Sequence, residues 1–199
     1  MRIGKSRRLQ LMRRVMILSG ALLVVISFSL NAHAGGAGAG FYGMGGRISL
    51  VKPENIDATF GLGIHFDMGT ILDVLRLYPS VEFWRESEST VVRGFTHETS
   101  TTELSFNGDV RHYIEMAEGS KVRPFFGGGL GLIYTGWSIK NPSRDDDGSD
   151  FDLGLNLLGG FDFRLGRSAR GFLEGKFKVD GYDTFKMTFG ITFPFEATE

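Results

Sequence analysis

From Asp183 to Phe195 the chain reads DTFKMTFGITFPF, with Phe185, Met187, Phe189, Ile191, Phe193 and Phe195 at every second position. Thr184, Lys186, Thr188, Gly190, Thr192 and Pro194 stand between them. An alternation of period two predicts a strand with two unlike faces. FDLGLNLLGGFDFRL, Phe151 to Leu165, repeats it, with Phe151, Leu153, Leu155, Leu157, Phe161, Phe163 and Leu165 opposite Asp152, Asn156, Asp162 and Arg164. GFLEGKFKVD sets Leu173, Phe177 and Val179 against Glu174, Lys176, Lys178 and Asp180. Upstream, TFGLGIHFDM places Phe60, Leu62, Ile64, Phe66 and Met68 opposite His65 and Asp67. TELSFNGDVRHY places Leu104, Phe106 and Val110 opposite Glu103, Asn107, Asp109 and Arg111. FYGMGGRISLV, PSVEFWRE and RPFFGGGLGLIYTGW alternate more weakly. Eight strands are predicted, at roughly 41–51, 58–68, 76–87, 97–115, 122–138, 150–165, 170–180 and 184–195.

The polar faces carry both signs of charge. Arg47, Asp67, Glu82, Glu103, Asp109, Arg111, Arg123, Asp152, Asp162, Arg164, Glu174, Lys176, Lys178 and Lys186 all stand opposite apolar faces. Two folds satisfy this pattern. In a soluble barrel or sandwich the apolar face is the core and the charged face meets water. A transmembrane barrel inverts the order, with apolar side chains on lipid and polar ones filling the interior.

The N-terminus tilts the choice. MRIGKSRRLQLMRR holds six basic residues and no acid, an apolar run of 16 residues follows from Val15 to Leu30, and NAHA supplies small residues at Ala32 and Ala34. Such an order marks a secretory signal peptide. An apolar run of this length is shorter than the ~20 residues that a spanning helix needs. The expected organisation is a signal peptide at 1–34 and one barrel domain at 35–199. Losing six of the 22 basic residues leaves 16 against 23 acidic ones, a net charge of −7, which gives no reason to expect nucleic-acid binding. The chain has no cysteine, so disulfides and cysteine metal sites are excluded. Secretion, an even strand count and 18 phenylalanines favour the inverted arrangement. The fold class expected is all-β, an eight-stranded antiparallel up-and-down transmembrane β-barrel, closed because an open sheet edge cannot be satisfied in lipid.

RPFFGGGLGLIY and LGLNLLGGFDFRL resemble the fifth and sixth strands of the small eight-stranded outer-membrane barrels, the OmpA-type and OmpX-type family. The resemblance covers about Gly40 to Phe195. Thr188, Gly190, Phe193 and Phe195 also fit the C-terminal signal read by the outer-membrane insertion machinery, although Glu-Ala-Thr-Glu follows where family members commonly end. The resemblance implies a monomer in the cell outer membrane of a Gram-negative bacterium, contacting its lipids and lipopolysaccharide, with both termini in the periplasm. It puts the outer connections near 52–57, 88–96, 139–149 and 181–183, modest in length and leaving limited material for a large adhesive surface. No peptidoglycan-binding domain is expected after the eighth strand.

Candidate chemistry is sparse. A narrow barrel filled with charges needs them paired, and Lys176, Lys178 and Lys186 are expected to meet Asp152, Asp162 and Glu174 nearby. Of four histidines, His33 lies in the signal, His65 faces inward beside Asp67, His97 starts the fourth strand and His112 takes the lipid register, and no two share a metal-binding motif. Lipid A deacylases and palmitoyltransferases share the fold and use Ser and His, but Ser105 and His112 have opposite parity. RDDDGSD, Arg144 to Asp150, crowds four acids into an expected outer loop without calcium-loop spacing. Gly127, Gly128, Gly129 and Gly131 are expected to relieve crowding, and Trp84, Tyr134 and Trp137 to form an aromatic girdle. No catalytic, cofactor or metal residue is assigned. The function expected is a non-enzymatic outer-membrane barrel with a packed polar lumen and a structural or surface-interaction role. A soluble barrel binding an apolar ligand and a lipid A-modifying enzyme remain open alternatives.

Overall fold

The computed structural model describes residues 39–195 except 55, 72–73, 93–94, 118, 142–143, 167 and 180–182. The expected signal peptide therefore lies outside the described residues. Eight strands follow in chain order: β1 (Ala39–Pro53), β2 (Thr59–Ile71), β3 (Leu75–Val92), β4 (Phe95–Tyr113), β5 (Val122–Asn141), β6 (Arg144–Arg164), β7 (Arg170–Val179) and β8 (Thr184–Pro194). Each is hydrogen-bonded to the next, and β1 closes on β8 in antiparallel register, with Ile48 opposite Phe189, so the sheet is a barrel. The end holding the start of β1 and the finish of β8 is called the lower end here.

Closure leaves two surfaces with the order of a soluble protein reversed. Along β8, Thr184, Lys186, Thr188 and Thr192 are buried, while Phe185, Met187, Phe189 and Phe193 are exposed. Phe60, Leu62, Leu130, Leu153, Leu155, Leu157 and Phe161 extend the exposed apolar belt around the barrel. A soluble apolar-binding barrel requires these side chains inside, and the structure places them outside. Facing water, such a belt would cost about 25 cal/mol per Å² of apolar surface; acyl chains remove that cost. At the lower seam, Phe41 stacks on Phe195 at 6.1 Å and the Phe195 amide donates to the Tyr42 carbonyl at 2.8 Å.

Two local departures from the expected alternation have physical causes. The β2–β3 register shifts between His65 and Thr70, and this irregularity buries Met68, expected outside. Gly69 there adopts φ 77°, a conformation that glycine takes without a Cβ clash, and its amide donates to Asp67 Oδ1 at 3.2 Å. The second departure is in length. About 9–11 tilted residues cross the hydrocarbon, as the 10 of β7 and 11 of β8 do, yet β5 has 20 residues and β6 has 21.

The surplus stands at the upper end. Among the described residues β7 pairs with β6 from Leu155 to Arg164, and β2 pairs with β3 up to Trp84. Above those points β3, β4, β5 and β6 continue as a four-stranded ribbon, paired up to Val92 with Phe95 and Asn141 with Arg144. Its two edges, Arg85–Val92 and Arg144–Asp150, have no strand beside them among the described residues. The expected loops at 88–96 and 139–149 are therefore largely strand. Their serines, threonines and acids hide the pattern, because both faces of the ribbon are largely polar, with Val91, Trp137 and Ile139 as exposed exceptions.

Candidate functional site

Period two sends one residue in two from every strand into the lumen, where Arg47, Glu82, Glu103, Asp109, Arg111, Glu174, Lys176, Lys178 and Lys186 are all buried. The register sets the problem they solve. Lys176 of β7 lies directly opposite Lys186 of β8, a like-charge pair that would weaken the ladder. Glu82, across the lumen on β3, takes both ammonium groups, at 3.1 Å on Oε1 and 3.0 Å on Oε2. Its Oε1 also accepts from Arg47 Nη1 at 2.9 Å and from Ser80 at 3.1 Å. Lys176 donates further to Asp109 at 2.7 Å, and Lys178 to Glu103 at 2.7 Å. Glu103 also meets Lys186 at 3.4 Å.

The three lysines thus reach mainly across the barrel to β3 and β4, not to Asp162 as the sequence pattern predicts. Glu174 does approach Lys176, at 3.9 Å, but its short contact is with Arg111 Nη2 at 2.6 Å. Asp152 is engaged as well, so it is not a spare acid. The geometric reason is reach. A lysine in a narrow barrel spans the bore, and strand neighbours present their side chains side by side.

Glycines of β5 make that crossing possible. A Cβ at Gly131 would sit 2.8 Å from Asn107 Oδ1, and one at Gly129 would strike the Gly108 carbonyl and Asp109. The expected relief of crowding is what these positions provide. Asn156 then bridges Asp109 at 2.7 Å and Asn107 at 3.0 Å.

Toward the lower end the network meets an apolar layer of Phe125, Leu158 and Phe172, with Tyr113 against it. Arg111 threads this layer, its guanidinium 4.1 Å from the Tyr78 ring, 4.2 Å from Phe125 and 4.6 Å from Phe172. Ring faces attract the cation where no water is at hand. His65 lies in the same layer, 5.1 Å edge-on from Phe172, with Nε2 at 2.8 Å from the Thr192 hydroxyl. Below, Arg76 grips both carboxylate oxygens of Asp67 at 2.7 Å, and Tyr113 donates to Asp162 at 2.8 Å.

Of the three residues expected in an aromatic girdle, Trp84 and Trp137 instead line an interior cavity. Trp84 is 3% exposed and points inward, and with Trp137, Thr101, Glu103, Thr135 and Thr184 it lines a cavity of about 130 Å³. Trp84 shares parity with Glu82 and Ser80, the signal that could have placed it inside. Tyr134 takes the outward register and packs against Phe151 at 4.9 Å. RDDDGSD belongs to β6, with Asp145 opposite Lys140 and Asp147 opposite Ser138.

Ser105 is buried in the lumen, whereas His112 is outside against Phe126 at 5.1 Å, so they do not form a pair. The side chain of His97 lies outside the described residues. Among the described residues no cluster of three His, Cys, Asp or Glu side chains is placed to hold a metal ion.

None of the curated proteins matches the chain in sequence. Among solved structures, Neisserial surface protein A superposes with a TM-score of 0.55 at 16% identity, covering 78% of this chain and 97% of that one. A major outer membrane protein of Thermus thermophilus gives 0.51 at 12% identity, covering 77% and 99%. Ail, the attachment invasion locus protein of Yersinia pestis, in complex with the heparin analogue sucrose octasulfate, gives 0.50 at 14% identity, covering 78% and 97%. At such identities the likeness is one of fold. The family model of the outer membrane protein beta-barrel domain matches residues 20–193. The inverted faces, the closed ring of eight strands and this match together establish that the chain belongs to the outer-membrane β-barrel family.

Proposed function

We propose that this protein is a non-enzymatic, non-conducting anchor in the outer membrane that presents the β3–β6 ribbon for contacts at the cell surface. The observation that carries the reading is the ribbon itself: four strands outgrow the barrel and end in two open edges, while the bore beneath is filled by paired charges and a layer of aromatic rings. A fold that needed only to span the membrane has no use for strands of 20 and 21 residues. The ribbon faces outward because the chain termini, at the opposite end, stay in the periplasm after export with a cleaved leader. Outer-membrane lipids and lipopolysaccharide contact the apolar belt, and Thr188, Gly190, Phe193 and Phe195 serve the insertion machinery. A lipid A-modifying enzyme finds no support in the separation of Ser105 from His112.

The ribbon is removable in principle. Joining Ser87 to Ser100 and Trp137 to Gly148 through Asn-Gly turns keeps register partners adjacent. The shortened protein should still insert, shift in electrophoretic mobility on heating and pass no current in planar bilayers. Cells carrying it should lose the surface attachment or aggregation conferred by the full-length protein. Attachment equal to that of the full-length protein would remove the case for a surface role, and an ohmic current through the full-length protein would refute the closed bore.

A further inference from the structure

The lower mouth holds a cavity of about 550 Å³, lined by Arg76, Lys121, Arg123, Arg164 and Arg170 against a single carboxylate, Asp162. That carboxylate is already engaged by the Tyr113 hydroxyl at 2.8 Å and by Arg111 and Arg123 at 3.7 and 4.0 Å. Arg76 is held by Asp67, and the Arg123 guanidinium lies 3.9 Å over the Tyr113 ring. Lys121, Arg164 and Arg170 form no ion pair among the described residues.

The rest of the interior shows what is unusual here. Wherever the register sets two cations directly opposite each other, buried acids answer them. Lys176 and Lys186 share Glu82. Arg76 and Arg111, opposed on β3 and β4, take Asp67 and Glu174 respectively. Arg164 and Arg170 are likewise opposed, on β6 and β7, and no acid of the described residues comes within ion-pairing distance of either. They stand at the mouth, Arg164 exposed and Arg170 half-buried, beside a cavity that also receives Lys121.

We infer that the lower mouth is an anion site, with a phosphate group as the ligand that completes the Arg164–Arg170 pair. Guanidinium forks match the oxygens of phosphate: a monoester, with up to two charges, offsets both arginines, and a phosphodiester, with one charge, offers two free oxygens to bridge them. The volume also admits the moiety bearing the phosphate. That moiety is either the headgroup of an anionic phospholipid in the adjoining leaflet or a soluble phosphate ester.

The test uses the full-length barrel in zwitterionic detergent, titrated with inorganic pyrophosphate by calorimetry. Three proteins are compared: the parent, Arg164→Gln/Arg170→Gln, and Arg85→Gln/Lys140→Gln, which removes the same charge at the upper end. The heat-dependent mobility shift verifies that each is folded. Parent and upper-end variant should bind alike, and the lower-mouth variant at least ~10-fold more weakly. Equal binding by the two variants, or no saturable binding by the parent, would overturn the site. Nanodiscs of phosphatidylglycerol or phosphatidylcholine then identify the source. Phosphatidylglycerol retained through native mass spectrometry and displaced by pyrophosphate supports a lipid headgroup. Pyrophosphate binding without such retention supports a soluble phosphate.

Discussion

The lower barrel and the upper ribbon share four strands, β3 to β6, yet they obey opposite rules. In the barrel every strand has two neighbours, apolar side chains point out and charges are paired inside. In the ribbon only β3 to β6 continue, both faces are largely polar, and two edges have no neighbour among the described residues. The difference lies in the solvent. Hydrocarbon offers no partner to a backbone amide, so the sheet must close on itself within it. Water satisfies an exposed edge, and the remaining hazard is pairing with another chain, which charged side chains discourage. Asp145, Asp146, Asp147 and Asp150 on the β6 edge are placed to do so.

The contrast is broken most severely through the lumen. Glu82→Ala leaves Lys176, Lys186 and Arg47 without their shared acid. Stranding buried charge in this way is expected to cost about 3–5 kcal/mol, read as a lower urea midpoint for unfolding from lipid vesicles. A second effect sharpens the closed-bore reading: the same variant should show current steps in planar bilayers that the parent lacks.

The belt comes next. Phe189 is exposed on β8, midway along the strand that closes on Ile48 of β1. Phe189→Lys should cost ~2–4 kcal/mol if that face meets the bilayer midplane. The same assay, run in vesicles, measures it. A cost near zero would mean that the belt does not lie in lipid, and the two halves of the molecule would no longer be distinguished by solvent.

The smallest effect belongs to the ribbon. Replacing Asp145, Asp146 and Asp147 together by serine touches exposed side chains only, so stability should change by no more than about 0.5 kcal/mol per site. The expected change is in association: the uncharged edge should raise self-association on cells or in detergent, followed by light scattering. Unchanged association would show that the β6 edge is guarded by something other than charge.

Much of this was legible in the residues themselves. The alternation of β8 and of Phe151 to Leu165 fixed strand positions and faces, because a side-chain period of two carries over unchanged into any sheet. The inward register of His65, Asp67 and the lumen charges followed from the same parity, as did the separation of Ser105 from His112. Trp84 was legible too, by its parity with Glu82, although a girdle is the usual place for a tryptophan. Three features were decided only by the assembled barrel. The choice of Glu82, Glu103 and Asp109 as partners for the lysines depends on distances across the bore, and parity says which face a residue takes but not which residue confronts it. The ribbon depends on strand pairing between stretches with two largely polar faces, where alternation is weak. The opposed Arg164 and Arg170 come from the β6–β7 register, which joins positions on two strands that the sequence separates by a turn.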